Sequence, residues 1–186
     1  MYSSTILLIS ALFSAATASP LTARSICHPN FEGAALTVTG YSAYGATSWA
    51  ATPVVGAVTP VVGELANGST APSKFFFQQN GDDPDVTYTV KTVANVNFAV
   101  ELTATGGVVT HNVDWSGSNV NQKWRVECTT CATDISQKQG VVASGCAISS
   151  AFPATNGFCV RMSRPGRELE LAICPSEGNG NFYFSV

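Results

Sequence analysis

Asn97-Phe98-Ala99-Val100-Glu101-Leu102 and, downstream of it, Trp124-Arg125-Val126 are the two ends of a pattern that occurs more than once in this chain of 186 residues. Gly157-Phe158-Cys159-Val160-Arg161-Met162 repeats the first end and Phe184-Ser185-Val186 repeats the second. The interval agrees, because Trp124 follows Glu101 by 23 residues and Phe184 follows Arg161 by 23. A third copy is expected in Gly33-Ala34-Ala35-Leu36-Thr37-Val38 with Phe75-Phe76-Phe77, where Phe75 follows Thr37 by 38 residues. The excess of 15 is assigned to Ala46 to Gly63, in which Thr52-Pro53-Val54-Val55-Gly56 recurs as Thr59-Pro60-Val61-Val62-Gly63. The prolines exclude a helix there, and an extended surface loop or edge hairpin is expected.

Strand patterns fill the space between these ends. Val86, Tyr88 and Val90 alternate with Thr87, Thr89 and Lys91, and Leu169, Leu171 and Ile173 alternate with Glu168, Glu170 and Ala172, the in/out pattern of half-buried strands. No segment keeps an apolar stripe of 3.6-residue period for three turns. Turn residues cluster at Asn80 to Pro84, Gly106-Gly107 and Pro165-Gly166. Each unit is too small to bury its own face, so three of them imply a closed assembly without a free sheet edge. The expected fold is therefore all-β, a β-trefoil of three repeats (about 27–80, 84–128 and 131–186) in a single domain, 25–186. Its core is expected to gather Leu36, Phe75, Phe98, Val100, Trp124, Val160, Leu171 and Phe184.

Composition narrows the function. Charged residues make up 11% of the chain, against about 25% in an average soluble domain. The formal charge is -3, and the only basic grouping is Arg161, Arg164 and Arg167. Nucleic acid and anionic membrane are thereby excluded as expected partners, because both need clustered Lys and Arg. At the N-terminus, the short apolar run Ile6 to Phe13 followed by Ala16-Thr17-Ala18 has the form of a signal peptide over 1–18, with a short pro-segment over 19–24. That run is far shorter than the ~20 apolar residues that span a bilayer. Secretion, with an extracellular location, makes the six cysteines disulfide candidates and Asn67-Gly68-Ser69 an N-glycosylation sequon.

Catalytic and metal chemistry find little footing. Two histidines, His28 and His111, and the absence of GxSxG, HExxH and P-loop motifs argue against an enzyme. Glu168 and Glu170, two apart on one strand, are read as a solvated face. Cys128-Thr129-Thr130-Cys131 has CxxC spacing, but zinc needs four ligands, and Cys146 and His111 form no second pair. No metal or other cofactor is expected.

Asn121-Gln122-Lys123-Trp124 resembles the NQxW signature that closes each repeat of the ricin B-type lectins, and Asn181-Phe182-Tyr183-Phe184 is a degenerate copy of it. Cys159 and Cys174 lie where that family places a disulfide within a repeat, so the resemblance implies that they are bonded. The remaining Cys27, Cys128, Cys131 and Cys146 allow three pairings. Trp124, with Val126 on the same face, is read as core.

Lectins of this family hold a sugar with an Asp on the strand opening each repeat, an aromatic on the following hairpin and the Asn of NQxW. The carboxylate accepts from two hydroxyls, and the ring covers the C–H face of a pyranose. The resemblance puts Thr37, Glu101 and Arg161 at the Asp position, and Asn112 and Ala172 at the aromatic one. It therefore implies at most one glycan site, in the second repeat: Glu101 as anchor, Asn121 as second polar contact, and Trp115 as platform in place of Asn112. The implied function is a secreted carbohydrate-binding module whose partners are glycans or glycoproteins. The alternative is a trefoil that has lost sugar binding and presents its loops to a secreted protein, as protease inhibitors do.

Overall fold

A computed structural model describes residues 26–31, 33–66, 68, 71–81, 86–135, 138–162, 164–174 and 181–186. The expected signal peptide, the pro-segment and Asn67 lie outside the described residues. Among the described residues there are fourteen strands and no α-helix, so the all-β expectation holds. The strands are β1 (Ala35–Ser42), β2 (Gly45–Ala50), β3 (Thr59–Pro60), β4 (Val62–Leu65), β5 (Phe75–Asn80), β6 (Thr87–Thr92), β7 (Phe98–Leu102), β8 (Val108–Asn112), β9 (Lys123–Glu127), β10 (Thr130–Cys131), β11 (Val141–Ser150), β12 (Phe158–Arg161), β13 (Glu170–Ile173) and β14 (Phe182–Ser185). No helix of the described residues is long and apolar enough to cross a membrane.

All pairings are antiparallel. β1 pairs with β14 and β5, β5 with β6, β6 with β9, β9 with β11, and β11 with β14, so each of these six strands has two of the others beside it. Three further two-stranded arms are β2–β4, β7–β8 and β12–β13. Side chains from the six strands and from the arms fill the core. Leu36, Phe75, Val100, Trp124 and Phe184 are fully buried and Val160 nearly so, as expected. Phe98 is buried outside the main cluster, and Leu171 packs on its margin half-buried. Phe31 supplies a ring the repeats do not announce: it meets Phe77, Tyr88 and Phe184 at centroid distances of 5.4, 6.1 and 4.6 Å. Tyr88 reaches the same entering segment, its hydroxyl donating to Pro29 O at 2.7 Å.

The alternation Val86, Tyr88, Val90 is buried throughout, but Ile173, at the end of β13, the last strand in the sheet order of the described residues, is 82% exposed.

The first third departs from the expected register. Asn97–Leu102 and Gly157–Met162 contain β7 and β12, each the first strand of an arm, whereas Gly33–Val38 leads into β1, between β5 and β14. The strand of the first third that opens an arm is β2. Ala50 pairs with Val62 as Glu101 does with Val109 and Arg161 with Glu170. One step beyond, Val61, Val108 and Leu169 meet: Val61 N–H donates to Val108 O, and Leu169 N–H to Val61 O, both at 2.9 Å. Ala50, not Thr37, thus occupies the position of Glu101 and Arg161. Counted from Ala50, Phe75 follows by 25 residues, so the expected insertion of 15 shrinks to two. Thr37 and Ala50 both sit in alternating apolar surroundings, and periodicity reports a face without saying which neighbour it meets. The Thr-Pro-Val-Val-Gly duplication is not a loop throughout. Val55 in its first copy is 83% exposed, while Val61 in its second is fully buried between β3 and β4.

Three disulfides join Cys27 to Cys131, Cys128 to Cys146 and Cys159 to Cys174. The last bridge is the expected one, with Cα atoms 4.8 Å apart, inside the reach of a disulfide. The two cysteines of the CxxC stretch belong to different bridges. Cys27 and Cys128 lie opposite each other in a β-bridge, which brings their partners within range.

Candidate functional site

The arm β7–β8 turns at Gly106, whose φ of 86° lies in the left-handed region that glycine adopts without strain. Its register sets Ala99 opposite His111 and Glu101 opposite Val109. On its other side Ala99 faces Lys91 of β6. Lys91, His111 and Glu101 therefore share the face that covers the buried Ala99.

One oxygen of Glu101, Oε2, accepts three bonds: from Gln122 Nε2 at 2.7 Å, from Asn119 Nδ2 at 3.2 Å, and from His111 Nδ1 at 3.2 Å in the tautomer that protonates that nitrogen. Its Oε1 makes no hydrogen bond with another described residue. The Glu101 side chain is 17% exposed and that of His111 45%, so one carboxylate oxygen is held in place at a site that solvent still reaches. Gln122 is the keystone. It is buried, and besides Glu101 its Nε2 donates to Asn112 O at 2.8 Å while its Oε1 accepts from Asp114 N–H at 2.9 Å.

Residues 114–119 are folded back by Asp114. Its carboxylate accepts from Ser116 Oγ, Ser118 Oγ and the backbone N–H groups of Ser116 and Asn119, at 2.6 to 3.0 Å. These bonds, the Ser116 hydroxyl first and the Asn119 N–H next, hold the Asp114 carboxyl well below the usual carboxylate range against an opposing desolvation. A carboxyl depressed in the folded state lends its hold fully above the ordinary Asp value of ~3.9 and loses it only as pH falls below that value, through the lower folded one. Quenching of the loop's exposed Trp115 by iodide is therefore expected to stay constant from neutral pH down to about 4. Asp114→Asn should raise it throughout that range. Equal quenching of that variant and the wild type would show that the carboxylate does not organise the loop.

Trp115 is 67% exposed and does not enclose the carboxylate; Lys91 Nζ stands 4.3 Å from its ring centroid. Burial lowers the Lys91 pKa. One ring face is thus engaged by a cation. Asn121 is half-buried in the 3-10 turn Val120–Gln122, which Asn119 caps by accepting from Asn121 N–H at 3.0 Å. The Asn121 side chain makes no hydrogen bond with another described residue. Asn112 contributes its carbonyl only: it pairs with Phe98, the alternate position to His111, so its side chain leaves the sheet on the opposite face from Glu101.

Of the expected residues, Glu101 is thus central, Trp115 and Asn121 lie on the flanking loop, and Asn112 is displaced. The sequence does not single out His111 and Asn119 as contacts of Glu101 or Lys91 as a contact of Trp115, and it has Gln122 only within the NQxW motif. His111 was within reach of a pairing argument, since a turn at Gly106-Gly107 puts it diagonally beside Glu101. Asn119 was not, because its approach depends on how Asp114 folds the loop. Arg161 bonds Glu170 across β12–β13 at 2.7 Å, and Thr37 is buried in β1 beside Ser185. Among the described residues no group of three or more His, Cys, Asp or Glu stands ready to hold a metal ion. No family model matches the chain, and no curated protein matches it.

Proposed function

We propose that the chain is a secreted β-trefoil of the ricin B-lectin type, a carbohydrate-binding module with one neutral-glycan site at Glu101. Three arms set on six mutually paired strands support the trefoil, with one arm in each of the units 27–80, 84–128 and 131–186. The meeting of Val61, Val108 and Leu169 at corresponding positions supports the three-fold relation. Three disulfides favour an oxidising compartment.

The observation that carries the binding reading is the Glu101 carboxylate, with Oε2 fixed by Gln122, Asn119 and His111 and Oε1 left to accept from a ligand hydroxyl. A preorganised acceptor loses little freedom when a sugar arrives. The unpaired Asn121 amide offers a donor, and the exposed face of Trp115 a platform. A glycan array is the test. Wild type is expected to retain neutral glycans; Glu101→Ala should abolish retention, while Thr37→Ala and Arg161→Ala leave it unchanged. Retention lost in the Arg161 variant and kept in the Glu101 variant would overturn the site assignment. Wild type retaining no glycan would favour the second reading, a loop-mediated contact with a secreted protein. Val54, Val55 and Val58, 48%, 83% and 54% exposed, are the surface that favours it, and an inhibition panel of secreted proteases tests it.

A further inference from the structure

A separate groove of about 690 Å3 lies between the β1–β2 turn and the loop joining β12 to β13. Tyr41 and Tyr44 form one wall, 63% and 53% exposed. Tyr41 is backed by Tyr183, ring centroids 5.8 Å apart. Tyr44 sits in the two-residue turn between Ser42 and Gly45, its N–H donating to Ser42 Oγ at 3.1 Å.

The opposite wall is a type II turn, Arg164-Pro165-Gly166-Arg167. Arg167 N–H donates to Arg164 O at 3.0 Å, and Gly166 has φ 75°. Two backbone bonds fasten the turn to Gly63 of β4: Gly166 N–H to Gly63 O at 2.7 Å, and Gly63 N–H to Arg167 O at 3.0 Å. Two arginines are thus mounted at the ends of a rigid support. Arg161 is neutralised by Glu170 at 2.7 Å, and Glu168, which also lines the groove, has its carboxylate against Gly107. Arg164 stacks over Tyr44, 5.8 Å from the ring centroid, and the ion pairs among the described residues do not include Arg167. A chain of net charge -3 gathers three of its nine basic residues here, against the two carboxylates of Glu168 and Glu170.

We propose that this groove is a second binding site, independent of Glu101, for an anionic saccharide: a pyranose bearing a carboxylate or a sulfate. The guanidinium forks of Arg164 and Arg167 match such an oxyanion with paired N–H donors, which an ammonium cannot reproduce. The tyrosine faces suit the C–H face of the ring that carries it. The volume lies within the range of small-ligand sites, roughly 300–1,000 Å3. This site goes beyond the neutral-glycan reading and stands or falls apart from it.

Titration calorimetry tests it with digalacturonate and its dimethyl ester, and with a sulfated disaccharide and its desulfated form. The anionic member of at least one pair should bind at least tenfold more tightly than its neutral counterpart, and the pair that does so tells uronate from sulfate. The double variant Arg164→Lys with Arg167→Lys keeps the charge and should lose at least tenfold. Tyr44→Ala should weaken binding similarly, Tyr44→Phe should retain it, and Glu101→Ala should leave it unchanged, all with unaltered melting midpoints. Absence of binding by both anionic sugars overturns the proposal, as does full binding by the double lysine variant. Polyglutamate binding as tightly as the saccharides overturns it in favour of an acidic-peptide surface.

Discussion

Trp124→Ala is expected to cost about 3–5 kcal/mol of folding stability, the range for truncating a large buried aromatic. The indole is fully buried on β9, flanked in register by Tyr88 of β6 and Ser150 of β11. Its N–H donates to Val100 O at 2.9 Å, so the side chain ties one of the six mutually paired strands to the arm β7–β8. Truncation opens a cavity where strands separated widely in sequence converge, and strands held by their own pairing collapse poorly into it. It also leaves a buried carbonyl without its donor. Since domains are stable by only about 5–15 kcal/mol, the variant should stand near the edge of folding at ambient temperature. Trp124→Phe separates the two effects: it keeps much of the ring volume and loses the hydrogen bond, for an expected cost nearer 1–3 kcal/mol. Urea unfolding reads both. A loss under about 1 kcal/mol for the alanine variant would be incompatible with a buried core position.

Replacing both Cys27 and Cys131 by serine should be the most damaging removal of a bridge. This disulfide spans 104 residues, against 18 for Cys128–Cys146 and 15 for Cys159–Cys174. In the chain-entropy account a loop of that length restricts the unfolded chain by roughly 4.7 kcal/mol, and a 15-residue loop by about 3. A folded-state effect adds to it. The bridge anchors the segment that carries Phe31, whose ring contacts Phe77, Tyr88 and Phe184, and Pro29, whose carbonyl takes the Tyr88 hydroxyl. Losing the anchor lets that segment fray and uncovers the core beneath it. For a domain of this size the double variant should melt about 10 °C lower than wild type. The Cys159→Ser with Cys174→Ser variant should lose less, because its hairpin is already held by the β12–β13 ladder. The reverse ranking would show that the N-terminal segment contributes little to the core.

Legibility in the sequence followed the range of the interaction. Alternation over a few residues marked Val86, Tyr88 and Val90 as inward-facing, because a strand's faces are set by its own pleat. The burial of Trp124 followed from its place in a spaced repeat. The register of the first third did not, since Thr37 and Ala50 carry similar patterns, and only pairing with Ser185 or with Val62 tells their strands apart. Glu101 was visible as the carboxylate in the second unit; its anchoring by Gln122 and Asn119 was not, because both reach it through a loop that Asp114 folds.

The amino-acid sequence alone determined the all-β class, the inward faces of Val86, Tyr88 and Val90, and the turns at Gly106 and Gly166, while the pairing of Cys159 with Cys174 came from the family resemblance. All of these depend on neighbours within about twenty residues, where local backbone preference and side-chain alternation act. The tertiary structure decided the partners of Cys27 and Cys128, the place of Ala50 beside Val62, and the meeting of the Tyr41–Tyr44 turn with Arg164 and Arg167. Cys27 and Cys131, and the Tyr41–Tyr44 turn with Arg164 and Arg167, come together only when strands from opposite ends of the chain pair, as β1 does with β14, while the place of Ala50 and the choice among the four cysteines are settled by the packing of the whole core rather than by any local segment.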